Sequence, residues 1–212
     1  MIRIAVLVSG GGTNLQKLLE SEKRGDFENG GIVLVLSSKP DVYALKRAEV
    51  FGKKTAVVNR KSIGDTETFN RQILLLLKEN KIDLIVLSGF MSVLSGDVIK
   101  AYKNRIINVH CSLIPAFCGD GFYGLKVHEA ALTKGVKVTG ATVHFVNEVT
   151  DGGPIILQKA VSVLEGDTPE SLQKRVMEQA EWLILSEAVS LFCAGRIETD
   201  GKTAKIITED KP

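Results

Sequence analysis

Three short runs of this chain are apolar at every position, and they limit what it can fold into more than any other feature. They are Ile4-Ala-Val-Leu-Val8, Ile32-Val-Leu-Val-Leu36 and Leu84-Ile-Val-Leu87. A strand with one wet face alternates apolar and polar residues, whereas a strand covered on both faces does not. The runs therefore predict a parallel sheet between helices. Segments of helical character at 15–20, 43–51 and 66–80 separate them, and 55–58 reads as a weaker strand. Strand and helix in alternation predict an α/β fold, a doubly wound and mostly parallel sheet with helices on both faces.

Beyond Arg105 the pattern changes. Ile106-Ile-Asn-Val-His110 reads as a strand ending in polar residues, and 116–124 as a loop rich in glycine and aromatics. Residues 138–146 and 155–163 read as two long strands joined across 147–154, so the C-terminal strands are expected to be partly antiparallel. A long amphipathic helix is predicted from Asp167 or Thr168 to near Cys193, with Gly195 beyond it. Asp200-Gly201 marks a tight turn of a terminal hairpin. Without a repeat, a low-complexity stretch or a composition break, 1–195 is expected to be a single domain and 196–212 a C-terminal hairpin or tail.

Composition closes several routes. Among 212 residues, 27 lysines and arginines stand against 25 acids, a net charge of +2. That is too near neutral for nucleic acid or an anionic membrane to be the expected partner. No apolar run approaches the roughly 18 residues of a membrane span. The first apolar run is shorter than a signal-peptide core and is followed by Ser9 and three glycines. The three cysteines, Cys111, Cys118 and Cys193, include no C-x-x-C pair. Neither a disulfide framework nor a metal site is expected, and a cytoplasmic location is.

Four features carry possible chemistry. Ser9-Gly-Gly-Gly-Thr-Asn14 lies between the first strand and the first helix. There, free N–H groups and the positive helix end suit a phosphate or another anion. The plainer alternative is a turn capped by Thr13 or Asn14. A dinucleotide fingerprint fails, because Leu15 stands where its third glycine belongs and Ser37 and Ser38 where its acid belongs. A P-loop fails for want of a lysine before Thr13. Asn108 and His110, two apart on a strand, point to one face at its carboxyl end, where open α/β sheets bind ligands. They suit an oxyanion donor and a proton carrier, or equally a strand-end histidine bonded to a carbonyl. Asp151 is either a partner for His110 or an ordinary Asp-Gly turn residue. Cys111 next to His110 invites a nucleophile, but strand neighbours face opposite ways, so it reads as a small buried residue. Cys118 reads as a bystander thiol and His144 as structural. His128, on a predicted helix, faces either a ligand or solvent.

The ordered set resembles a known family. Ser9-Gly-Gly-Gly-Thr-Asn-Leu15, Gly89-Phe-Met91, Asn108-Val-His110 with Ser112-Leu-Ile-Pro115, and Val143-His-Phe-Val146 before Asp151-Gly-Gly-Pro-Ile-Ile-Leu-Gln158 are similar to the glycinamide ribonucleotide (phosphoribosylglycinamide) formyltransferases. The similarity runs from Ile2 to about Gly195. It implies transfer of a formyl group from the cosubstrate 10-formyltetrahydrofolate to the amine of glycinamide ribonucleotide, in purine biosynthesis. It also implies that Gly12, Thr13 and Asn14 hold the nucleotide phosphate, and Glu181 or Glu178 the ribose hydroxyls. Met91, Ser92, Val93 and Leu94, with Asn108 and Asn147, Glu148, Val149, Thr150 and Asp151, would line the folate pocket. Asn108 and His110 would stabilise the oxyanion, and Asp151 would keep His110 protonated. The amine attacks directly, so the resemblance implies neither a metal nor an enzyme nucleophile. It leaves the oligomeric state open.

The chain departs from the family pattern at several positions. Cys111 replaces a proline, and Ser92 and Thr66 stand where the family often has arginines, with Arg60, Lys61 or Arg71 as possible substitutes. The loop from Ala116 to Leu125 is also longer than the family's. Related readings are a methionyl-tRNA formyltransferase, which needs a further C-terminal RNA-binding domain, and a formyltetrahydrofolate hydrolase, which carries an additional N-terminal regulatory domain. A reading from another class is a non-catalytic nucleotide-binding module.

Overall fold

In the computed structural model, which describes residues 1–208, the apolar runs become strands with almost no exposed side-chain surface. The chain forms two units, Met1–Ile107 and the part that begins at Asn108.

The first unit contains β1 (Ile2–Val8), α1 (Thr13–Arg24), β2 (Gly30–Ser37), α2 (Tyr43–Val50), β3 (Lys54–Val57), α3 (Arg60–Ile63), α4 (Thr66–Glu79), β4 (Leu84–Leu87) and α5 (Gly96–Ala101). Its strands are ordered β3-β2-β1-β4, with β1 parallel to β2 and β4, and β2 parallel to β3. β1 is therefore central, and Ala5 to Val8 are fully buried. That is why no position of the run tolerates a polar residue. α4 starts on Asp65, whose carboxylate accepts from the Glu67 and Thr68 N–H groups. The short helices α3 and α5 are too brief to leave a periodic signature in the sequence.

β5 (Ile106–His110) crosses from the first unit into the second. The second unit continues with α6 (Leu125–Lys134), β6 (Val138–Phe145), β7 (Ile155–Ser162), α7 (Pro169–Val176), α8 (Trp182–Cys193), β8 (Ile197–Thr199) and β9 (Ala204–Ile206). β6 and β7 pair antiparallel, as expected, and the register slips by one residue between Val143 and His144. A Cβ on Gly140 would run into the Lys159 carbonyl, so β6 needs glycine there. The architecture is the expected one: a mostly parallel sheet with connecting helices, a late antiparallel pair and a long C-terminal helix.

That last helix is not uniform. Residues Met177–Glu181, between α7 and α8, form a π-helical turn, which inserts one residue into the α register. At its N-terminus, Thr168 and Ser171 form a capping box. β8 and β9 form the expected hairpin around Asp200-Gly201; residues 209–212 of the expected tail lie outside the described residues. Among the described residues no helix is long and apolar enough to cross a membrane.

The start of the long helix carries a charge pair with a pH signature. Arg175 donates from both Nη1 and Nη2 to the two carboxylate oxygens of Asp167, each at 2.6 Å. These bonds hold the Asp167 carboxyl well below the usual carboxylate range, against the cost of burial. A carboxyl whose pKa is depressed on folding stabilises the fold above its unfolded pKa of about 4, and that contribution fades as pH falls below it. The melting temperature of Asp167→Asn is expected to lie below that of the wild type at pH 7, with the gap closing below about pH 4. A gap that stays constant from pH 7 to 3 would remove Asp167 from the acid response.

Candidate active site

In the first unit the glycine loop is held open by α2. The Gly10 carbonyl accepts from the Ala44 N–H at 3.2 Å, and the Gly11 carbonyl accepts from Arg47 Nε at 2.9 Å. Arg47 also donates to Gln16 Oε1 at 3.0 Å and lies over the Tyr43 ring. Gly12 has φ 73, and a Cβ there would sit 2.7 Å from the Ala44 Cβ, so only glycine fits. Gly12 itself is the N-cap of α1, and no side chain caps this helix end. The alternative in which Thr13 or Asn14 caps the helix is therefore not what forms. The N-terminal end of α1, the positive end of its dipole, suits an anion.

Residues 91–94 follow β4 without regular structure. Met91 and Val93 are exposed, Ser92 is half-buried and Leu94 is buried. Thr66, which stands in place of a family arginine, receives a 2.8 Å hydrogen bond from Arg60 Nη2. Arg60 also lies over the Phe69 ring. Of Arg60, Lys61 and Arg71, Arg60 is the one hydrogen-bonded to Thr66, and Lys61 and Arg71 are exposed.

In the second unit the imidazoles of His110 and His144 converge on the Asp151 carboxylate. His110 Nδ1 lies 3.6 Å from Asp151 Oδ2, and His144 Nε2 lies 3.6 Å from Oδ1. The Gly119 N–H donates to Oδ2 at 2.9 Å. The Asp151 side chain is 9% exposed and those of His110 and His144 are 7% and 2% exposed. Burial resists ionisation of Asp151, but His144, the Gly119 N–H and the charge of His110 together hold its carboxyl below the usual range. The carboxylate is the resting form.

Hydrogen-bond partners assign the protons. His110 Nε2 is 2.8 Å from the Phe117 carbonyl, which only accepts, so Nε2 carries a hydrogen. The other nitrogen, Nδ1, faces the Asp151 carboxylate. His144 Nδ1 donates to the Phe145 carbonyl at 2.9 Å. Its Nε2 lies 3.2 Å from Asn108 Nδ2. That bond fixes one amide hydrogen of Asn108 and leaves the other free in direction.

Local structure aims these groups. The register slip in β6 falls immediately before His144, and bulges of this kind re-aim side chains beside functional sites. Asp151 has φ 54, a left-handed conformation that aspartate tolerates, within a turn tied by bonds among Asn147, Val149 and Gly152. Glu148, Val149 and Thr150 form its exposed rim, and Thr150 bonds to Asp120 of the long loop at 3.0 Å. That loop supplies both the Phe117 carbonyl and the Gly119 N–H. His144 was expected to be structural, yet it lies inside the cluster. The sequence signal for it, Gly140, Thr142 and His144 on one face, was present but did not reveal the bulge.

The helix glutamates separate clearly. Glu181 is 7% exposed, in the π turn, whereas Glu178 is exposed and lies 4.0 Å from Lys174 Nζ. β5 ends at His110, and the Cys111 thiol points to the Gly124 carbonyl at 3.8 Å. Burial, with the negative charges of Glu181 and Asp151, pushes that thiol far up, so it stays protonated. Cys118 lies against the Pro115 carbonyl, and its thiol is also raised by burial. His128 is fully buried on α6, and neither ring nitrogen has a protein partner. Among the described residues no cluster of three or more His, Cys, Asp or Glu could hold a metal ion.

A family model described as formyl transferase matches residues 2–189. The chain is 34% identical, over 93% of its length, to the phosphoribosylglycinamide formyltransferase of Escherichia coli (strain K12), of which it spans 90%. It is 42% identical, over 97% of its length, to the trifunctional purine biosynthetic protein adenosine-3 of Gallus gallus. It spans about a fifth of that protein's length. The solved structure of glycinamide ribonucleotide transformylase 1 from Symbiobacterium toebii is 41% identical, with a TM-score of 0.91, covering 98% of this chain and 95% of that one. The chain belongs to the formyl transferase family.

Burial and, secondarily, the like charge of His110 push the His128 imidazole down to about 4. Two-dimensional NMR of the imidazole nitrogens is expected to show His128 neutral from pH 8 to about 5. A midpoint near the ordinary value of about 6.5 would mean that His128 is not sequestered from water.

Proposed function

We propose that this formyl transferase family member moves a formyl group from 10-formyltetrahydrofolate to the amine of glycinamide ribonucleotide, with 1–195 acting as one catalytic domain. The observation that carries the chemistry is the cluster in which His110 and His144 flank the ionised Asp151 and Asn108 bonds to His144. The whole-chain relatives named for this reaction support the choice of substrates.

The amine nitrogen attacks the formyl carbon, forming the new C–N bond and moving the carbonyl electrons onto oxygen. Asn108 meets that oxyanion with the amide hydrogen that His144 leaves free. His110 meets it with its Nε2–H, which must exchange the Phe117 carbonyl for the formyl oxygen. Asp151 compensates the imidazolium charge and keeps the ring supplied with both protons. Collapse then breaks the bond to folate nitrogen, and the proton lost by the amine ends on that nitrogen. A carbonyl already attached to a nitrogen leaving group needs no enzyme thiolate, in keeping with the protonated state of Cys111.

Binding follows from the same residues. The uncapped end of α1, at Gly12, Thr13 and Asn14, takes the phosphate. Glu181 takes the ribose hydroxyls, because it is the buried glutamate of the pair. The folate is assigned to Met91, Ser92, Val93 and Leu94 with Asn108 and the turn Asn147, Glu148, Val149, Thr150 and Asp151. Met91, Val93 and Val149 offer exposed apolar surface to an aromatic ring, and Arg60 supplies a cation for folate carboxylates. These are small-molecule partners, met in the cytoplasm.

Formyl-labelled folate offered glycinamide ribonucleotide, water or charged tRNA as acceptor tests the reading. Label is expected on the nucleotide, unaffected by a chelator; label appearing as formate or on tRNA would replace it with the hydrolase or the tRNA enzyme. Asn108→Ala and His110→Ala are each expected to lower kcat by on the order of a hundredfold or more, the usual effect of losing one oxyanion donor. Nucleotide affinity should change far less. A loss confined to KM would move these residues from the transition state to ground-state binding.

A further inference from the structure

The backbone of residues 91–95 hangs between two side chains of the first unit. At one end the Met91 N–H donates to Ser9 Oγ at 2.9 Å. At the other, Asn70 Oδ1 accepts from the Ser95 N–H at 2.9 Å, and Asn70 Nδ2 donates to the Val93 carbonyl at 3.4 Å. The segment belongs to neither helix nor strand, so no ladder of its own holds it in place.

Ser9 is the more informative of the two anchors. It follows the last residue of β1 and opens the glycine loop. Its hydroxyl is buried and lies 2.6 Å from the equally buried Ser38 hydroxyl, one residue past the end of β2. A hydroxyl has one hydrogen and two lone pairs, so Ser9 Oγ can accept the Met91 N–H and still bond to Ser38. One oxygen thus joins the ends of β2 and β1 to the chain that leaves β4. The glycine loop and the 91–94 segment are tied through a side chain that neither ligand needs to touch.

We propose that Ser9 is a positioning residue for the formyl donor. It holds the Met91 backbone, and so the donor-binding segment, at a fixed distance from the phosphate-binding loop. The inference rests on the assignment of 91–94 to the folate. Without the Ser9 hydroxyl, the Met91 N–H loses its acceptor and the segment is anchored only by Asn70.

Steady-state kinetics of Ser9→Ala, combined with amide hydrogen exchange of the ligand-free protein, test this. Loss of one ordinary hydrogen bond predicts a rise of about tenfold in KM for the formyl folate, with nucleotide KM and kcat changed much less. The Met91 amide should exchange faster, while the Ser95 amide keeps its protection. Ser38→Ala keeps the Met91 bond but removes the hydroxyl that orients Ser9, so it should give a smaller rise in the same direction. An unchanged folate KM in both variants overturns the proposal, and so do equal rises in both KM values, which would mean general loosening. If the wild type formylates no glycinamide ribonucleotide, the functional reading fails on its own. An unaltered Met91 exchange rate in Ser9→Ala then overturns the anchor separately.

Discussion

Asp151 adopts a left-handed backbone conformation and places a nearly buried carboxylate between two imidazoles and a backbone N–H. Alone, such a carboxylate would be protonated or would destabilise the fold. Here the surrounding donors keep it ionised, and that negative charge in turn sets what its neighbours can do. One of its oxygens faces His110 Nδ1. The other faces His144 Nε2, and the Nδ1 of that ring bonds to the Phe145 carbonyl. Asp151 thus faces both imidazoles, and Asn108 joins the group through His144.

The rest of the second unit can be understood as the means of holding that group. Gly153 packs so closely on the Phe145 carbonyl that a Cβ would collide with it, which ties the Asp151 turn to the end of β6. Thr142 Oγ1 donates to the Ser112 carbonyl at 2.7 Å and accepts from the Ile114 N–H, fastening the chain beyond His110 to the same strand. The long loop closes over the cluster through Phe117 and Gly119. In the first unit the glycine loop is held through its carbonyls, Gly10 by the Ala44 N–H and Gly11 by the Arg47 side chain.

Much of this was legible in the residues themselves. Uninterrupted apolar runs announced buried parallel strands, and the spacing of Asn108 and His110 announced a shared face at a strand end. What could not be read depended on contacts between distant segments. The bulge before His144 exists because β7 contributes an extra residue opposite β6, and nothing in Val143-His144 alone signals it. Glu181 lies inside and Glu178 outside, a difference that the sequence run Glu178-Gln-Ala-Glu181 does not settle by itself. The Phe117 carbonyl acts through the backbone, so its side chain gave no hint. Arg60 reaches Thr66 because a short helix, unseen in the periodicity, turns the chain back at that point.

If Asp151 acts through His110 in the proposed reaction, a double-variant cycle on kcat reveals the coupling. Groups that work as one unit lose function non-additively. His110→Ala with Asp151→Asn is expected to be little worse than His110→Ala alone, although each single change is severely impaired. If the two losses instead multiply, Asp151 contributes independently of His110 and its place at the centre of the site is contradicted.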